Sequence, residues 1–294
     1  MITTPQRILA ATDFSDTASH AQRAAVALAR AFAAELHFLH VQVLLDDPHL
    51  EDSYQTEIQR LLESAEGHKI EAMEAPGNDD ELEIHTHLVR GLNAAEVICE
   101  TCKDLGCDLI VMGTHGRRGI GHMFLGSVTE RVVRSASSPV LTIRHDARLP
   151  SEGVSRILVP HDFSDESKHA VRYAAAWARA FEAEITLYHV VEPVVYPEFY
   201  SVDVLPNEVQ GRIRERSIEA LDAAAHELLP DVRTYTEVAV GRPADRIVSV
   251  ATPDRFDLVV MGTRGLSAVE HWLMGSVAEN VLRRCQLPLL AVRS

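Results

Sequence analysis

Arg7-Ile8-Leu9 and Asp13-Phe14-Ser15-Asp16 recur as Arg156-Ile157-Leu158 and Asp162-Phe163-Ser164-Asp165, each displaced by the same 149 positions. The displacement holds further along. Gly113-Thr114-His115-Gly116, nine residues, then Gly126-Ser127 returns as Gly262-Thr263-Arg264-Gly265, nine residues, then Gly275-Ser276. Pro139 returns as Pro288. A constant offset means two copies of one folding unit, each of about 145 residues, a size that sustains its own core. We place copy one at residues 1–146, a connector containing Pro150 and Gly153 at 147–155, and copy two at 156–294.

The net charge of −15 excludes the basic face that nucleic acid and anionic membrane surfaces require. No apolar run reaches the roughly 18 residues that span a bilayer. The first residues, Met1 to Arg7, lack a basic-then-apolar leader pattern. The expected compartment is the cytoplasm. A small anion is still compatible with an acidic chain, provided backbone amides and a few cations gather around it.

Within copy one, apolar runs alternate with amphipathic ones. Arg7–Thr12, Leu36–Leu44, Glu81–Val89, Asp108–Gly113 and Pro139–Arg144 read as strands. Ser15 caps a helix running to about Ala34, and further helices are expected at 54–74, 93–103 and 127–135. Copy two repeats the order: strands over 156–162, 185–191, 234–240, 257–262 and 288–293, and helices over 166–181, 206–229, 244–251 and 276–284. Strands alternating with helices build a parallel sheet covered on both faces. Ligands of such sheets bind beyond the carboxyl ends of the strands, where the strand order reverses.

The repeated motif has the chemistry of an anion site. Gly113 and Gly116 turn the chain after a central strand and let phosphate approach the backbone. Gly126-Ser127-Val128 opens a helix whose first amides lack partners. Asp13 ends the first strand, where it can accept from a ribose hydroxyl or help hold a cation beside phosphates. Val41 supplies an apolar wall for a base. Taken alone, glycines after strands also serve as plain turns and Ser127 as a plain cap. Glycine loop, cap and aspartate occur together in both copies. There is no P-loop lysine motif. Gly116-Arg117-Arg118-Gly119-Ile120-Gly121 is not a dinucleotide fingerprint, and its arginines read either as facing phosphate, the reading preferred, or as simply solvated.

With these residues the chain resembles the universal stress protein family in its tandem form, over nearly its whole length. The ATP-binding subset of that family carries G-x2-G-x9-G-[ST] with an aspartate ending the first strand, and both copies match it. The resemblance implies two flavodoxin-like, Rossmann-like α/β domains, each a five-stranded parallel sheet of order 3-2-1-4-5 with helices on both faces. It implies ATP or another adenine nucleotide, bound with Mg. One site would use Ala11, Thr12, Asp13, Val41, Met112, Gly113, Gly116, Gly126, Ser127 and Val128. The other would use Pro160, His161, Asp162, Val190, Met261, Gly262, Gly265, Gly275, Ser276 and Val277. It also implies that Pro139–Arg144 pairs with Pro288–Arg293 inside the chain as a pseudo-dimer. The leading function is a stress or signalling module whose nucleotide occupancy is read by an unidentified protein partner. A weak ATPase or phosphotransfer enzyme and a nucleotide-free scaffold are the alternatives, and a homo-oligomer is left open. No catalytic residue and no metal ligand is assigned.

The copies differ where the ligand would sit. Copy one has His115, Arg117, Arg118 and His122 in its loop. Copy two has Arg264 and His271 with Glu270, and carries Leu266 and Ser267 in place of the arginines. His161 replaces Thr12 and is expected to crowd the base or ribose. Tighter binding is therefore expected in copy one. Cys99 and Cys102 have CxxC spacing but face Val248 and Ala251 in the repeat, so they read as core side chains. Glu83, His85 and His87 share a strand face with zinc-compatible chemistry. Copy two lacks the set, which favours a solvated strand near the sheet edge. His40 and His189 read as hydrogen-bonded core histidines. Tyr196, Pro197, Phe199 and Tyr200 form either a partner patch or a local cluster.

Overall fold

In a computed structural model of the chain, the residues described are 3–43, 56–67, 82–114, 125–145, 147, 149, 153–192, 207–265 and 274–293. Copy one runs β1 (Arg7–Thr12), α1 (Asp16–Phe32), β2 (Glu35–Val43), α2 (56–67), β3 (Ile84–Gly91), α3 (Ala94–Asp104), β4 (Leu109–Gly113), α4 (Ser127–Ser135) and β5 (Val140–Ile143). Copy two runs β6 (Arg156–Pro160), α5 (Asp165–Phe181), β7 (Glu184–Val191), α6 (Asn207–Leu228), β8 (Thr234–Val240), α7 (Pro243–Val250), β9 (Leu258–Gly262), α8 (Ser276–Arg284) and β10 (Leu289–Val292). The expected strand over 81–89 instead begins at Ile84 and runs on to Gly91. It pairs with β2 along its length (Leu36↔Ile84 through Val43↔Gly91), and that ladder, not its own alternation, sets its ends. The expected helix over 54–74 and the connector lie partly outside the described residues, and the aromatic group at 196–200 lies wholly outside them.

Local chemistry explains why α1 and α5 start and stop where they do. Ser15 and Ser164 cap them by accepting from Ala18 N (3.2 Å) and Ser167 N (3.1 Å). Asp16, Asp165 and Glu166 sit in the first turns, where the helix dipole favours negative charge. Both helices end on a left-handed residue, Ala33 (φ 51°) and Glu182 (φ 53°).

The strands form one ten-stranded sheet of order β3-β2-β1-β4-β5-β10-β9-β6-β7-β8. Each half thus has the order 3-2-1-4-5, and within each half every pairing is parallel. Side chains alternate between two cores. Ile8, Ala10, Leu109, Val111 and Leu141 face the layer of α1 and α5, while Leu9, Ala11, Ile110, Met112 and Val140 face the other.

The halves join through their last strands. β5 and β10 pair antiparallel, Leu289↔Thr142, Leu290↔Leu141 and Ala291↔Val140, and the Thr142 hydroxyl donates to Leu289 O (3.2 Å). The repeat makes this seam self-complementary. Arg144 Nη1 donates to Arg283 O at the end of α8 (3.1 Å), and its repeat mate Arg293 Nη1 donates to Arg134 O at the end of α4 (2.7 Å). A guanidinium satisfying the last carbonyls of a helix also complements its dipole. Glu130 binds Arg134 in its own half (2.7 Å) and Arg283 in the other (3.2 Å). On the opposite face Phe32 packs edge-on against Trp177, ring centroids 5.3 Å apart.

Candidate nucleotide-binding crevices

From β1 the chain moves outward to β2 and β3, then returns to place β4 on the other side of β1. The loops leaving β1 and β4 therefore diverge, and a crevice opens between them. The same happens between β6 and β9.

The β1 exit is a tightly fixed loop. Phe14 N donates to Thr12 Oγ1 (3.1 Å) and Ser15 N to Asp13 Oδ1 (3.1 Å), an Asx turn that holds the carboxylate at the strand end. Phe14 takes φ 62° and Phe163 takes φ 66°, conformations that cost a bulky side chain on the order of 1–3 kcal/mol and cluster at ligand sites. His40 Nδ1 donates to Thr12 O (2.8 Å), and its ring lies 4.5 Å from Phe14. His189 makes the same bond to His161 O (2.8 Å), with its ring 4.7 Å from Phe163. These two histidines brace the loop from the neighbouring strand, as core residues.

In copy two the repeated signature closes on itself. Asp162 Oδ1 accepts from Ser164 N (3.1 Å) and from Ser164 Oγ (2.5 Å). A Cβ on Gly265 would stand 2.5 Å from Asp162 Oδ2, so glycine lets the β9 loop lie against that carboxylate without displacing it. A Cβ on Gly275 would lie 3.8 Å from Gly265 N, and Gly275 N donates to Thr263 O (2.8 Å). Asp162, Gly265 and Gly275, 113 positions apart from first to last, thereby meet at one place. In copy one Gly126 N donates likewise to Thr114 O (2.7 Å). Thr114 and Thr263 are both buried, at 2 and 4 % exposure. Their repetition inside the glycine motif was the available signal for this structural role.

Gly113 is required for another reason. A Cβ there would stand 2.9 Å from Thr17 Cγ2 and 3.1 Å from the Thr17 carbonyl carbon, so glycine lets α1 pack onto the β4 exit. Gly262 has Glu166 at the same place, 3.2 Å away. Gly126 (φ −62°, ψ 139°) and Gly275 (φ −65°, ψ 144°) are N-caps without a side-chain cap bond. The first amides of α4 and α8 lack intrahelical partners and open beside them. Ser127 and Ser276 are exposed, and Val128 and Val277 half-buried. Ala11, Thr12 and Met112, like Pro160, His161 and Met261, are buried at the carboxyl ends of their strands, and Val41 and Val190 are half-buried on the adjoining strands.

His161 holds the position of Thr12 and also its local role, with Nδ1 accepting from Phe163 N (3.1 Å). Burial drives its pKa down to about 4, so the ring is neutral near pH 7 and carries its proton on Nε2. Gly116, His115, Arg117, Arg118 and His122, and likewise Leu266, Ser267, Glu270 and His271, lie outside the described residues.

The cysteines are free thiols, three of them buried. Cys102 Sγ donates to Cys107 O (3.3 Å), and burial raises Cys99 to about 11. Cys99 is therefore a thiol near neutral pH, and Cys102 is held in the core by its bond to the Cys107 carbonyl, which suits packing.

Sheet order, crevice position and internal symmetry define a doubly wound α/β protein made twice in one chain. The sequence model of the universal stress protein family matches it at residues 4–144 and again at 153–293. The chain belongs to the universal stress protein family. A universal stress protein of Thermus aquaticus is 36% identical over 137 residues, covering 47% of this chain and 97% of that protein. One from Mycobacterium tuberculosis is 29% identical over 225 residues, covering 76% of this chain and 73% of that protein. The fold matches the crystal structure of a universal stress protein from Archaeoglobus fulgidus with a TM-score of 0.69 at 19% identity, over 98% of both chains. Among the described residues no helix is long and apolar enough to cross a membrane.

Proposed function

We propose that each crevice binds an adenine nucleotide, ATP with a divalent cation, and that occupancy sets a conformation read by a protein partner during a stress response. Residues 1–146 and 156–294 act as the two binding domains. The observation that supports this best is the meeting of Asp162, Gly265 and the α8 N-terminus in copy two. Backbone amides and the helix dipole face the phosphates, and the aspartate sits where a ribose or a cation completes the site. Val41 and Val190 supply the apolar wall of the base pocket.

The test is thermal unfolding with Mg-ATP on wild type, Gly126→Asp and Gly275→Asp. Both glycines have φ near −60°, and aspartate is a favoured N-cap, so the fold is kept while a carboxylate meets the phosphates. Nucleotide at about 100 times its Kd should add roughly 2.7 kcal/mol to the wild type. Each substitution should abolish binding in its own copy. Nucleotide-free protein that shows no shift would make the crevices plain turns.

A further inference from the structure

A second constellation lies at the opposite ends of the strands. Glu35 and His37 begin β2, Glu83 precedes β3 and His85 lies within it, and the register sets His37 directly beside His85. His37 Nε2 is 3.2 Å and His85 Nε2 3.1 Å from the same atom, Glu35 Oε1. His85 Nε2 is also 3.1 Å from Glu83 Oε1. Donor atoms of Glu35, Glu83 and His85 all fall within 4.8 Å of one another. Both Nε2 atoms are buried and make no hydrogen bond of acceptable geometry, and the His37 side chain is only 5 % exposed.

We propose that Glu35, His37, Glu83 and His85 form a zinc site, separate from the nucleotide crevices. Two imidazole nitrogens and two carboxylate oxygens are a donor set that zinc takes in tetrahedral form. Ligand bonds of about 2.0–2.1 Å give a tetrahedron with edges of roughly 3.3 Å. Three of the six separations in a four-donor set, 3.2, 3.1 and 3.1 Å, match such edges, and His37, which stands outside the group of donors within 4.8 Å of one another, closes the tetrahedron by a shift of its ring. The surroundings are those of a ligand shell. His37 Nδ1 lies 2.9 Å from His87 Nε2, so His87 can accept the Nδ1 proton and leave the Nε2 lone pair of His37 for the metal. Arg7 Nε holds Glu35 Oε2 at 2.8 Å, which fixes the carboxylate with Oε1 turned to the histidines.

Copy two is an internal control. Glu184 repeats Glu35, but Thr186 stands opposite Tyr235 where His37 stands opposite His85. Arg233, not a carboxylate, reaches Glu184 (3.7 Å). The donor set is therefore a property of copy one and not of the repeated fold. Six residues of strand separate Glu35 from Val41, about 20 Å, so the cation of a bound nucleotide would occupy a different place.

Equilibrium dialysis of the nucleotide-free full chain against ZnCl2 tests this, with Co2+ absorption reporting coordination. One zinc per chain is expected, with a tetrahedral Co2+ spectrum. Binding should weaken at least tenfold in His85→Ala and Glu35→Gln, about 10–100-fold in His87→Ala through loss of ligand orientation, and not at all in Thr186→Ala. His85 is partly exposed at 38 % and Glu83 at 70 %, so His85→Ala and Glu83→Gln keep the test intact if a His37 variant fails to fold. No retained zinc, or zinc retained equally by His85→Ala and Glu35→Gln, overturns the proposal.

Discussion

The two crevices are built on one plan and finished differently. Copy one closes its β1 loop with the Thr12 hydroxyl, and copy two closes the matching loop with the neutral ring of His161. Copy one ties α4 to the β4 exit through Thr129 Oγ1, which donates to Gly113 O (2.7 Å), whereas copy two has Ala278 there. A small hydroxyl tolerates any pH, but a buried imidazole does not. The hydroxyl strut adds to the N-cap bond that ties α4 to the β4 exit, and copy two keeps only the matching N-cap bond of Gly275 N to Thr263 O. A duplicated scaffold can thus keep its geometry while its halves acquire different dependence on solution conditions.

The largest expected difference is in acid. The His161 pKa falls from 6.5 to about 4 on burial, and each unit is about 1.4 kcal/mol, so the whole shift is on the order of 3 kcal/mol. Because the folded pKa lies below the unfolded one, this contribution is complete above pH 6.5 and is lost as pH falls toward 4. Denaturant melts from pH 7 to pH 4 should show that His161→Thr loses less stability than wild type. Equal losses would mean that the ring escapes to solvent before it is protonated.

Next in size is the ligand effect. Gly126→Asp and Gly275→Asp should each remove one of two nucleotide equivalents in calorimetry, and the residual affinities then rank the crevices. Tighter binding in copy one is the outcome expected from its loop cations, and a stronger copy two would reverse that ranking. Smaller again is Gly265→Ala. Its Cβ meets Asp162 Oδ2 at 2.5 Å, so the carboxylate or the loop must shift. Nucleotide affinity of copy two should drop about tenfold, equivalent to roughly 1.4 kcal/mol, with copy one unchanged. The smallest effect is Thr129→Ala, which strips a hydrogen bond from Gly113 O and should cost about 1 kcal/mol. The same change carries copy one toward the copy-two design, and Ala278→Thr should carry copy two the other way.

Most of the element order was legible because burial in a parallel sheet writes itself as apolar runs. Ser127–Ser135, Ser276–Arg284 and Thr234–Val240 fall on the ends read from residues alone. β3 was misplaced because its half-buried positions give a weak pattern, and its extent follows from its partner. In the crevices, the repeated aspartate, glycines and serine marked the strand and helix ends, and His40 and His189 were legible as hydrogen-bonded core histidines, but the threonines that hold the loops were not. His85 and His87 stood out in the sequence. Their meeting with Glu35 and His37 did not, since those residues lie about fifty positions away and become neighbours only by strand register.

By itself, the sequence determined that there are two copies, that each is an α/β unit of alternating strands and helices, and about where the described elements other than β3 begin and end. The duplication follows from the constant offset of the repeat, and the elements from local periodicity, caps and glycine conformation, which act over a few residues. Only the tertiary structure decided the register of β5 on β10, the reciprocal reach of Arg144 and Arg293, the contact of Gly265 with Asp162, and the donor cluster of β2 and β3. Each of these joins segments far apart in the chain. Their pairing is selected by the packing of whole faces, which no short stretch of residues encodes.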